Sequence, residues 1–127
     1  MPKPLPKLRY VLWVDDNPGN NLAGVAYLSA MQISVTKVLS TRQAMVQLKA
    51  RQFDAIVSDM GRKEGAREGY VLLDEVRGLG LNTPYFFYAA GGSQPENVRE
   101  AFERGASGST SDMMALLDLV QGAIYNA

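Results

Sequence analysis

The residues best placed to do chemistry are three aspartates, the adjacent Asp15 and Asp16 and the solitary Asp59. Each follows an apolar run. Leu8 to Val14 (LRYVLWV) stops at Asp15-Asp16-Asn17-Pro18-Gly19, and Phe53 to Ser58 (FDAIVS) stops at Asp59. Short apolar runs bounded by turn residues read as buried strands, so all three carboxylates follow strand ends. Brought to roughly 5 Å of one another at an effective dielectric near 20, each ionised pair would repel by about 3 kcal/mol. Such a cluster either takes up protons or recruits a cation. An all-oxygen site suits Mg²⁺ better than zinc or copper, and a carboxylate held beside Mg²⁺ can attack a phosphoryl donor. Plainer roles exist for each acid alone: Asp16 or Asn17 as a helix cap, Asp59 as a turn former. Turn chemistry does not readily produce all three in this arrangement.

Composition removes most competing chemistries. The chain has 127 residues, 0 histidines and no cysteine, which excludes disulfides, thiolate nucleophiles, Ser-His-Asp constellations and zinc-histidine sites. Thirteen basic residues cancel thirteen acidic ones, so no summed positive field favours nucleic acid or an anionic membrane, and neither is expected as a partner. No apolar run approaches a membrane span and no signal core follows the N-terminal lysines, so a cytoplasmic, reducing location is expected. There is no Walker loop. Gly78-Leu79-Gly80 reads as a helix end, and Gly91-Gly92-Ser93 as a flexible turn before a helix, although it could hold an anion or a flavin phosphate. The methionines Met31, Met45, Met60, Met113 and Met114 read as packing residues.

Positioning these acids requires a regular alternation of elements. Residues 1–7, with three prolines and two lysines, read as an N-terminal arm, and residues 8–127 as one domain. After the first strand, Pro18 behind an Asn17 cap opens a helix to about Met31. Strand Ile33–Leu39, a helix capped by Ser40 or Thr41, and the strand ending at Asp59 follow. A charged, glycine-rich loop (Gly61 to Gly69) leads to a helix over Tyr70–Arg77, then an aromatic strand Tyr85–Ala89 and a helix over Pro95–Arg104. A weak strand Gly108–Ser111 and a helix Met113–Tyr125 complete the chain. Five strands alternating with five helices predict an α/β fold, a flavodoxin-like doubly wound parallel sheet of order 2-1-3-4-5. In that order the first and third strands are neighbours at the point where strand order reverses, which is where ligands bind.

With these residues in place, the chain resembles the receiver domains of two-component response regulators over Leu8 to Tyr125. The resemblance is carried by Val11-Leu12-Trp13-Val14-Asp15-Asp16-Asn17, Phe53 to Met60, Gly69-Tyr70-Val71-Leu72-Leu73, Pro84 and Gly105-Ala106-Ser107-Gly108. It implies Asp59 as phosphoacceptor, Asp15 and Asp16 as the acidic pair for Mg²⁺, the Gly61 carbonyl as a further ligand, and Ala90 as the small residue admitting the phosphoryl group. It also implies a histidine kinase or phosphotransfer protein upstream and a downstream protein partner, with no enzymatic turnover beyond self-phosphorylation from a donor. With no effector sequence after Ala127, output is expected through protein contacts, near the fourth and fifth strands.

The resemblance also has departures. Where the family has a hydroxyl at the end of the fourth strand this chain has Ala89; the lysine of the fifth strand falls on Asp112, its aromatic switch residue on Ser109, and the usual proline after the phosphoacceptor is missing. Metal binding is expected to survive, whereas phosphoryl transfer loses one hydroxyl and one ammonium and needs substitutes. Thr110, Lys63 and Arg62 are the available ones. For Arg62, Lys63 and Arg67 the plainer expectation is a solvated charged loop. The alternatives are a pseudo-receiver that binds partners without phosphorylation and, less favoured, a small phosphatase or flavin-binding protein of the same fold.

Overall fold

The computed structural model describes residues 8–125; the N-terminal arm of residues 1–7 lies outside them. Five strands, β1 (Arg9–Val14), β2 (Ile33–Val38), β3 (Ala55–Ser58), β4 (Tyr85–Tyr88) and β5 (Gly108–Thr110), form one parallel sheet of order β2-β1-β3-β4-β5. They alternate with α1 (Leu22–Ala30), α2 (Thr41–Ala50), α3 (Glu68–Gly78), α4 (Pro95–Glu103) and α5 (Met113–Tyr125). This is the expected doubly wound arrangement. None of the described helices is long and apolar enough to cross a membrane.

The strands are apolar on both faces because each face carries its own core. Leu12, Val14, Ile56, Tyr85 and Phe87 point to one side, against Ala44 and Leu48 of α2 and Tyr70, Leu72, Leu73 and Val76 of α3. Their alternate neighbours Val11, Trp13, Ala55, Val57 and Phe86 point to the other, against Leu28 of α1 and Leu116, Leu117, Val120 and Ile124 of α5. Tyr88, half-buried, meets the Trp13 ring edge to face with centroids 6.4 Å apart. Four of the five methionines pack as expected, but Met114 is exposed because α5 turns that position to solvent.

Two local departures from the sequence reading matter for the site. The segment after β1 does not enter an α-helix at Pro18; it first makes a 3₁₀ turn, Pro18–Asn21, and Asn17 provides no side-chain cap. Its N–H instead bonds back to Asp15 Oδ1 at 2.8 Å, an Asx turn that leaves no role for Asn17 as a cap. The 3₁₀ turn shifts the helical phase and sends Asn21 inward, leaving it 1% exposed. Helix α3 starts two residues earlier than expected, at Glu68, because Gly69 lets it approach the end of β3. The Gly69 N–H bonds the Met60 carbonyl at 2.8 Å, and its Cα faces the Asp59 carbonyl and the Phe87 ring.

A methyl group at position 69 would press on the Asp59 carbonyl and come within 2.7 Å of the Phe87 ring, neither of which can retreat from the sheet. Gly69→Ala is expected to lower stability by about 2–3 kcal/mol. A fall in the urea midpoint without a change in slope is the expected signature.

Candidate metal centre

The parallel ladder between β1 and β3 pairs Val14 with Ser58, so the next residues of each strand, Asp15 and Asp59, lie side by side. Main-chain bonds extend the ladders past the strand ends: Asp15 N–H to the Val38 carbonyl and Asp59 N–H to the Val14 carbonyl, both 3.0 Å. With Asp16 adjoining, one carboxylate oxygen from each of Asp15, Asp16 and Asp59 lies within 4.8 Å of the others. The three acids line one end of an open cleft of about 740 Å³ at the carboxyl edge of the sheet. Gly61, Ala89, Ala90, Tyr88, Ser111 and Asn21 line it too.

Each acid is held differently. Asp15 accepts from the Asn17 N–H and, at 2.9 Å, from the Asn21 amide. The Asn21 amide oxygen is buried and has no partner in the protein. Asp16 is half-buried and accepts from the Lys63 main-chain N–H at 2.8 Å. Asp59 is the most enclosed, at 9% exposure. Burial pushes its carboxyl up to about 6; Arg62 pulls the other way, the Asp15 charge adds to the push and the Asp16 backbone N–H lowers it.

Arg62 departs most from the sequence reading. Far from being a solvated loop residue, its side chain is 0% exposed. Its Nη1 donates to Asp59 Oδ1 at 2.5 Å and to Ser58 Oγ at 3.2 Å; its Nη2 donates to Thr41 Oγ1 at 2.6 Å and to the Glu68 carbonyl at 3.3 Å; its Nε donates to Glu64 Oε1 at 3.2 Å. The loop turns it inward through a tight bridge, Arg62 N–H to Gly65 carbonyl and Gly65 N–H to Arg62 carbonyl, each 2.9 Å. Burial works against the guanidinium charge, but Asp59, with help from Glu64, holds its pKa above the ordinary value.

The other residues named from sequence separate into two groups. Ala89 and Ala90 face the cleft, as does Gly61. Lys63 reaches the acids through its main chain, while its side chain is exposed, and Arg67 is likewise a surface residue, paired with Glu100. Thr110 is buried away from the cleft: its hydroxyl is bonded to Ser93 at 3.2 Å and accepts the Asp112 N–H, so it offers nothing to Asp59. Ser109 donates to the Gly92 carbonyl at 2.8 Å. Asp112 is a helix cap, its Oδ2 accepting the Ala115 N–H at 2.9 Å in the first turn of α5. The carboxylate where a lysine was expected thus has a structural use. Asn21 was missed by sequence reasoning; no local signal marks it, because its inward position depends on the 3₁₀ turn.

An all-oxygen donor set, with one buried carboxylate pushed up by its own enclosure and an orphaned amide oxygen beside it, fits a hard divalent cation. Comparison with known proteins places the fold. No protein-family profile and no curated sequence matches the chain. Solved structures do. A response regulator receiver domain from Francisella superposes with a TM-score of 0.79 at 20% identity, covering 93% of this chain and 98% of its own. The chemotaxis response regulator CheY4 of Vibrio cholerae gives 0.77 at 23%, covering 92% and 99%. The beryllofluoride-activated NtrC4 receiver domain dimer gives 0.78 at 20%, covering 92% and 97%. The fold is therefore that of the response regulator receiver domains.

Removing one partner of a buried ion pair leaves an uncompensated charge. Arg62→Met is expected to destabilise by about 3–5 kcal/mol, since Asp59, Ser58 and Thr41 all lose their donor. Combined with Asp59→Asn, the loss should fall short of the sum of the single variants by roughly 1–3 kcal/mol, measured by urea unfolding of all four proteins.

Proposed function

We propose that the chain is a receiver module in phosphorelay signalling that binds Mg²⁺ and accepts a phosphoryl group on Asp59. The single observation supporting this most is the convergence of Asp15, Asp16 and Asp59 within 4.8 Å at the mouth of a cleft, on the fold of receiver domains. Asp15, Asp16, Asp59 and the Gly61 carbonyl would hold the ion. When bound, Mg²⁺ offsets the mutual repulsion of the acids and screens the approach of an anionic donor. Asp59 supplies the nucleophile: a carboxylate oxygen attacks phosphorus, and the bond to the donor's leaving group breaks with its electron pair. Ala89 and Ala90 leave room for the phosphoryl group, and Arg62 supplies a positive charge beside the reacting carboxylate from the third strand's own loop. The donor is a histidine kinase or phosphotransfer protein, and output is through protein contacts in the cytoplasm.

One observation favours a second reading. Arg62 already pairs with Asp59 from within the fold, which is what an unphosphorylated interaction module would need to keep a buried carboxylate charged. The two readings separate on incubation with Mg²⁺ and a small acyl phosphate followed by intact mass spectrometry. A base-labile adduct of one phosphoryl group, lost in Asp59→Asn, is the expected result. Metal binding without any adduct would establish the interaction module instead.

Metal binding carries its own pH signature. Asp59 has a folded pKa of about 6 against an ordinary 3.8, so between these values the folded chain holds the extra proton and Mg²⁺ must displace it. Apparent Mg²⁺ affinity is expected to be flat above pH 7 and to fall toward tenfold per pH unit below 6. Trp13, two residues before the acidic pair, gives the fluorescence readout; an affinity independent of pH between 5 and 7 would remove Asp59 from the ligand set.

A further inference from the structure

The guanidinium of Arg62 is planar, and its donors lie in a fixed fork, so it cannot change one partner without changing its geometry toward the rest. Those partners span the site and two helices. Nη1 holds Asp59; Nη2 holds Thr41, the first residue of α2, and the carbonyl of Glu68, the first residue of α3. Thr41 closes the circuit by donating its hydroxyl to Glu68 Oε1 at 2.9 Å, and its N–H points to Glu64 Oε1 at 3.4 Å. Two helix N-termini are thereby tied to one carboxylate through a single cation.

The opposite edge of the site offers no equivalent. Ala89 has no hydroxyl, Ser109 is committed to the Gly92 carbonyl, and Asp112 to the first turn of α5. Among the described residues, Arg62 is the only side chain that hydrogen-bonds the Asp59 carboxylate.

We infer that Arg62 is a positioning residue that relays the state of the Asp59 carboxylate to the N-termini of α2 and α3, so that this side of the domain, and not the β5 edge, responds to the site. The relay rests on the reading of Asp59 as phosphoacceptor. Phosphorylation converts one carboxylate oxygen to the bridging oxygen of an acyl phosphate, breaks the donor's bond to phosphorus with the electron pair departing on the leaving group, and places a phosphoryl dianion in the cleft. The charge that holds Nη1 is then displaced by the length of an O–P bond. The planar fork follows that charge, which stretches its bonds to Thr41 and to the Glu68 carbonyl. That movement alters the α2 and α3 N-termini together, whereas a fork that stayed with Glu64 and Thr41 would leave both unchanged.

The test is amide-resolved NMR of the full chain with Mg²⁺ and beryllofluoride, a non-covalent stand-in for a phosphoryl group on a carboxylate, with fluorine NMR reporting whether the site is filled. In the native protein, amides of Thr41–Met45 and Glu68–Leu72 are expected to shift more than those of Thr110–Leu116. Thr41→Val, which keeps shape and removes the hydroxyl that Nη2 holds, should weaken the Thr41–Met45 response with the probe still bound, while the direct bond of Nη2 to the Glu68 carbonyl keeps Glu68–Leu72 responding. A filled site with no response in α2 and α3, or an undiminished Thr41–Met45 response in Thr41→Val, would overturn the relay. Absence of bound probe would count against the phosphoacceptor reading alone; the relay is then tested in ligand-free Asp59→Ala, where the same two helix starts must shift and the start of α5 must not.

Discussion

The enclosure of Arg62 constrains everything around the acidic cluster. A guanidinium with no solvent contact needs an acceptor for each of its donors, and this one recruits them from the end of β3, the start of α2, the start of α3 and its own loop. An isolated buried charge would cost many kcal/mol, so these elements must be in place together or the loop must open. The charged loop after β3 is therefore structural on its inner side and solvated only on its outer side, where Lys63 and Arg67 lie. Gly69 makes the arrangement possible by letting α3 approach the Asp59 carbonyl.

Two opposed electrostatic demands meet at Asp59. Burial and Asp15 favour the protonated acid, while Arg62 favours the carboxylate. The carboxylate is therefore neither wholly neutralised by its own fold nor left free. Asp15 and Asp16 are arranged in another way, oriented by an Asx turn, the Asn21 amide and the Lys63 backbone, with no side-chain cation paired to either among the described residues. The positive charge on one acid and main-chain and amide donors on the other two divide the cleft into a wall that carries a cation and a wall held by neutral donors.

Much of the fold was legible because β1 and β3 are apolar runs that stop at acids, and α2 and α5 carry spaced apolar positions. Alternation implied a parallel sheet and the flavodoxin-like arrangement supplied its order, in which Asp15 and Asp59 immediately follow neighbouring parallel strands. The parts that were not legible depend on tertiary partners. Arg62 stands in a sequence, Gly-Arg-Lys-Glu-Gly, whose composition says surface, and only the carbonyls and hydroxyls supplied by α2 and α3 draw it inward. Asn21 points inward because a 3₁₀ turn precedes α1, a one-turn change of pitch that apolar periodicity does not register. For Thr110 the hydroxyl was readable but its direction was not, since Ser93 from another loop claims it.

The carboxylate of Asp112 has a consequence for how this sequence can change. Its oxygen satisfies an amide in the first turn of α5 that a lysine, having no acceptor, would leave bare. Placing an ammonium there would therefore cost about 1 kcal/mol of helix capping before any benefit to an anion in the cleft could be felt. A position with such a duty does not readily take a lysine, so positive charge beside the cleft comes from elsewhere, and the interior of the loop after β3 already holds one.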